Sequence, residues 1–89
     1  MVKEWLTMKT SNEEAEQANL VEDERLGPQP VPFGFQNQRW LEFKGQIQEG
    51  DELWEFSSPP ETWKNLRGRA GLSIVRNGEI VDSLVTLMS

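Results

Sequence analysis

Cysteine, histidine and tyrosine are all absent from this 89-residue chain. Without cysteine no disulfide can form, so packing alone must hold the fold, and the redox compartment leaves no mark. The missing Cys and His also exclude the usual zinc staple of small domains. With them go the histidine-based triad, the thiolate nucleophile and the phenolic general acid. Any catalysis would fall to Asp, Glu, Lys, Arg, Ser or Thr. The expectation is therefore a protein that is not an enzyme and carries no cofactor and no metal.

Apolar runs are short as well. The opening MVKEWLTMK does not read as a signal peptide, and no stretch approaches a membrane span. The default expectation is a cytoplasmic protein with no membrane partner. Basic residues are the minority, nine against fifteen acids, for a net charge of −6. That balance argues against nucleic acid or an anionic membrane as a dedicated partner.

What the chain does have is aromatic. Seven of its eight Trp and Phe rings lie between Phe33 and Trp63, and each can bury about 150–250 Å². A chain this short can build one modest core, and that stretch is where it should be densest. A single domain follows. Residues 33–89 form the α+β core, and residues 1–32 form an acidic helix and proline-rich connector that can be mobile.

The acidic helix is read from Ser11 and Glu14, which fit a capping box, and from early acids Glu13 and Glu14 at the positive end of the helix dipole. Ala15, Ala18, Val21 and Leu26 give a thin apolar stripe, and Gly27-Pro28 gives a stop. Pro28, Pro30 and Pro32 then favour an extended connector into Phe33-Gly34-Phe35. From Gln38 to Ser57, two runs flanking Gln48-Glu49-Gly50-Asp51 suggest a first hairpin. Trp40, Phe43 and Ile47 also fit a helical stripe.

Ser58-Pro59-Pro60-Glu61 reads as a second capping box, with proline at the first helical position. Trp63 and Leu66 would face inward, and Gly68 would end the helix in the left-handed region. Asn77-Gly78 is the preferred dipeptide of a type I′ turn. A two-residue loop there sets Arg76 against Glu79, Val75 against Ile80 and Ile74 against Val81. Ala70, Leu72, Ile74, Val81, Val85 and Leu87 then share the core face. The whole reads as an α+β domain of about four antiparallel strands in two hairpins. One short helix lies between the hairpins, and the acidic helix precedes them.

Charge supplies the candidate sites. Residues 1–37 carry three basic and seven acidic side chains, whereas Thr62 to Gly78 contains Lys64, Arg67, Arg69 and Arg76 and no acid. Lys64, Arg67 and Arg69 are the candidate binding residues, suited to an anion or an acidic surface through arginine forks. Structural duties compete for them: Lys64 and Arg67 at the negative end of the helix, Arg76 with Glu79, and Arg69 with the acidic segment. The acids at 22–24 and 49–55 lack calcium-loop spacing and read as solvated faces. Trp40, Trp54 and Trp63 read as core rather than as base-stacking platforms, which need a positive groove, because the residues around Trp40 and Trp54 are mostly acidic.

No phosphate loop, dinucleotide fingerprint, serine elbow or repeat is present. The expected function is a small acidic interaction module that regulates or inhibits another protein. The alternative is binding of a small anionic ligand or nucleic acid through Lys64, Arg67 and Arg69. The ending IVDSLVTLMS has few charges, so a homodimer through an edge strand is a further expectation.

Overall fold

A computed structural model describes residues 2–89. Four strands form an antiparallel sheet: β1 (Leu6–Thr10), β4 (Glu52–Ser57), β5 (Arg69–Arg76) and β6 (Glu79–Met88), in the order β1-β4-β5-β6. A two-stranded ribbon pairs β2 (Leu20–Val21) with β3 (Val31–Pro32). Three short α-helices, α1 (Asn12–Ala18), α2 (Asn37–Lys44) and α3 (Pro60–Lys64), and three single 3-10 turns at Lys3–Trp5, Glu24–Leu26 and Gly34–Gln36 complete the described chain. The molecule measures 39 × 37 × 17 Å. It is thin because only a few short helical turns lie on the sheet.

The terminal hairpin turns at Asn77 and Gly78, both at positive φ (53° and 79°), as a type I′ turn requires. Arg76 faces Glu79 and Val75 faces Ile80, as the sequence predicts, but Ile74 then faces Asp82 instead of Val81. A one-residue bulge at Val81 exchanges the faces of β6 from Asp82 to Val85, and a second at Thr86 restores them, so that Leu87 faces Ala70. Val81 is 40% exposed and Val85 is turned to the opposite face beside Gly71, while Leu84 is buried at 3% opposite Leu72. Leu87 keeps its predicted face but lies exposed near the strand end. The reason lies in what an unbulged ladder would bury. It would set Ser83 against Leu72 and turn Leu84 away. With the bulge, Leu84 enters the core and the Ser73 and Ser83 hydroxyls meet at 2.7 Å. Asp82 is freed to accept from its neighbour Ser83 N–H (2.9 Å) and from the Gln46 side-chain amide (2.6 Å).

The first hairpin does not form. Residues 37–44 are helix α2, and the strand that pairs with β4 comes from the amino terminus as β1. The helical stripe prevails over the alternation because of its rings. Trp40 is fully buried, stacked on Phe33 at 4.6 Å and tilted against Phe43 at 6.1 Å. A strand would place Trp40 and Phe43 on opposite faces, and only one face of this sheet has a helix layer to receive them. The core joins Ala15, Phe33, Trp40 and Phe43 to Leu53, Leu72, Ile74 and Leu84, with Ile47 at its margin.

The acidic helix is shorter than its expected span of 11–26. Ser11 caps α1 by accepting from Glu14 N–H (3.1 Å), and the Glu14 carboxylate takes the Ser11 hydroxyl, not the Ser11 N–H of a full capping box. The helix stops at Asn19, whose amide donates to Ala15 O (2.8 Å), because Leu20-Val21 must pair with Val31-Pro32. Ala15 is buried beneath α1. Glu16 accepts from the Trp40 indole (2.8 Å) and from Lys44 (2.7 Å), tying α1 to α2. These two donors, Lys44 first, hold the Glu16 carboxyl below the usual carboxylate range.

Candidate functional site

The basic segment sits on a loop fixed by serine and threonine hydroxyls. The expected Ser58 cap does not form: α3 begins at Pro60, and no side chain caps it. Ser58 closes the loop instead. Its N–H donates to Arg69 O and its Oγ accepts from Arg69 N–H, both at 2.9 Å. Because the Thr62 hydroxyl donates to Pro59 O (2.6 Å), the 2.5 Å contact between Ser58 Oγ and Thr62 Oγ1 is a donation from Ser58. Buried Ser58 thus bridges Arg69 N–H in β5 to the Thr62 hydroxyl in α3 instead of accepting from the Glu61 N–H. The tertiary bond prevails.

Two further expectations here are corrected. Leu66, not Gly68, takes the left-handed conformation (φ 58°), and it is 77% exposed instead of facing inward. Gly68 is required for space: a Cβ there would lie 2.1 Å from the Trp63 ring. Trp63 lies over that glycine and donates its indole N–H to Ser58 O (3.1 Å). Trp54 is also only partly buried, which leaves Trp40 as the one of the three predicted core tryptophans that is enclosed.

On this frame Lys64 ends α3, Arg67 lies in the following loop and Arg69 opens β5. Lys64 and Arg67 are exposed, while Arg69 is half-buried and donates to Gly68 O (2.8 Å) instead of reaching the acidic segment. Arg76 does not pair with Glu79. Its guanidinium forks onto Asp51 (2.9 and 2.8 Å), whose side chain is 1% exposed. That fork, with the Gln48 N–H, holds the Asp51 carboxyl below its usual range. Among the described residues, ion pairs engage Lys3, Lys9, Arg25, Lys44 and Arg76. Three of the four remaining cations are the predicted set, and the fourth is Arg39.

The acids divide similarly. Asp23 caps the turn 24–26 and is forked by Arg25, while Glu52 accepts from the Trp54 indole and from Lys9. Glu13, Glu22 and Glu24 stand exposed, with no cation within ion-pair distance among the described residues. No group of three or more Asp and Glu able to hold a metal ion occurs among the described residues. No helix there is long and apolar enough to cross a membrane.

One cleft was not foreseen. It has a volume of about 180 Å³ and lies between α1 and the helix-side face of the sheet, lined by Thr10, Glu14, Ala15, Asn19, Glu55 and Leu72 among others. The one signal for it in the sequence is Glu55, an acid at the alternate position after Leu53, on a strand face that is otherwise buried. Protein-family models, curated proteins and solved structures were all compared with the chain, and none matches.

Proposed function

We propose that this protein is a small acidic, non-enzymatic interaction module, a regulator or inhibitor that docks on a basic surface of another protein. The observation that supports this is the uncommitted acid of the segment 13–24. Glu16 and Asp23 are engaged within the molecule, whereas Glu13, Glu22 and Glu24 face solvent without cations. A surface of that sign speeds encounter with a cationic partner and suppresses acidic ones, and its effect fades with salt.

The test begins with the tagged protein, cross-linked in its own cell so that the captured partner can be identified and purified. The Glu13→Lys/Glu22→Lys/Glu24→Lys variant should then bind that partner roughly tenfold or more weakly, with a flatter salt dependence. The fold should stay intact, with the melting temperature lowered slightly. The three side chains are exposed, and only Glu13 adds to an α-helix, at the positive end of α1. Wild-type affinity in this variant would overturn the electrostatic reading.

A second reading has its own observation, the concentration of unpaired cations at Lys64, Arg67 and Arg69. On that reading the loop after α3 binds a small anion or nucleic acid. Millimolar phosphate, nucleotide or oligonucleotide should then raise the melting temperature, and no shift with any of them removes this reading.

A further inference from the structure

We infer that the cleft between α1 and β1 receives one lysine side chain of the partner; this rests on the acidic-module reading and gives it a specific anchor. The first support is size. At ~30 Å³ per water, 180 Å³ is room for about six waters. The alkyl stem and ammonium of one lysine have five heavy atoms.

The second support is the lining. Ala15 and Leu72, both buried, form an apolar floor, and Met8 and Ala18 are exposed at the mouth. An alkyl stem can cover such a floor while its charged head stays at the rim.

The third support is hydrogen-bond chemistry. Asn19 donates its side-chain amide to Ala15 O, which leaves its side-chain oxygen Oδ1 as an acceptor. Glu14 has one oxygen on the Ser11 hydroxyl and the other free. Glu55 is half-buried, and its carboxylate takes no hydrogen bond or ion pair among the described residues. Its oxygens keep contact with water and hold no donor among the described residues, so an incoming ammonium can reach them without displacing an internal partner. The rim therefore offers acceptors, and an ammonium is donor-only, with three N–H groups on one compact centre. The chain's own nearby cations are engaged elsewhere: Lys9 with Glu52 and Lys44 with Glu16.

The probe is Nα-acetyl-lysine amide, titrated into the intact protein while the methyl signals of Met8, Ala15, Ala18 and Leu72 are followed by NMR. Saturable shifts confined to these methyls, with millimolar affinity, are expected. Nε-acetylation of the probe should abolish them. Glu55→Gln should weaken binding roughly tenfold, as loss of a charge-assisted contact implies. Glu14→Gln should weaken it less, since that carboxylate already holds a hydroxyl. Absence of saturation, equal binding by Nε-acetylated probe or by Glu55→Gln, or tighter binding of the arginine analogue would each overturn the inference. Those failures would leave the acidic-module reading standing, because the charge reversals at Glu13, Glu22 and Glu24 lie outside the cleft and are read on the partner itself.

Discussion

The two faces of the four-stranded sheet are built on different physics. On the helix side, Leu53, Leu72, Ile74 and Leu84 meet Ala15, Phe33, Trp40 and Phe43 in one apolar cluster. On the other side, Trp54, Ser73 and Ser83 lie across three strands, between a row of Phe56, Gly71 and Val85 and a row of Glu52, Val75 and Ile80. Phe56 and Val75 are buried there but stand outside the main cluster. The polar groups on this face satisfy each other at short range, hydroxyl to hydroxyl and indole to Glu52. The helix side thus depends on parts of the chain far apart in sequence, and the other side mostly on the strands that form it. Lys3 reaches Glu79 at the far end of the hairpin, an exposed pair of small energetic weight.

The largest test of this contrast compares adjacent residues. Leu84→Ala should destabilise by about 2–5 kcal/mol, since it opens a cavity under the helices. Val85→Ala, half-buried on the other face, should cost about 1 kcal/mol. Denaturant unfolding of both variants measures the difference. The reverse order would mean that the bulge at Val81 does not form in solution, because an unbulged β6 sends Val85 inward.

A smaller effect is expected at the hydroxyl pair. Ser73→Ala leaves the Ser83 hydroxyl without its partner and should cost about 1–2 kcal/mol. The double variant Ser73→Ala/Ser83→Ala should cost less than the two single changes together. Additive costs would show that the two hydroxyls act independently.

Acidification should give the smallest effect, absent at neutral pH. Asp51 has its folded pKa depressed by Arg76 and the Gln48 N–H. Its contribution is complete above the unfolded value of about 3.9 and is lost as pH falls through the lower folded value. Melting temperature should therefore fall on titration below about pH 4, and Asp51→Asn should flatten that fall. An unchanged profile would show that the buried fork contributes nothing to pH dependence.

Legibility in the sequence followed the range of the interaction. The type I′ turn, the first two cross-strand pairs and the Ser11 cap were readable because each is decided within about four residues. The candidate cations Lys64, Arg67 and Arg69 were legible as a charge pattern, but the hydroxyl chain that fixes their loop was not. Ser58 has a cap signature, but only the fold brings Arg69 N–H and the Thr62 hydroxyl to its side chain instead. Glu55 looked like an ordinary solvated acid, since its place at the cleft depends on where α1 is set down.

By itself the sequence determined the absence of disulfides and of a Cys/His zinc site, the acidic balance, the aromatic middle and the turn at Asn77-Gly78. These follow from composition or from backbone preferences that no distant contact alters. Only the tertiary structure decided that residues 37–44 are helical, that β1 fills the place of the missing hairpin strand, and that Val81 bulges. In each case the local pattern of residues allowed more than one conformation. Burial of Trp40 and Phe43, and of Leu84 in place of Ser83, decided between them.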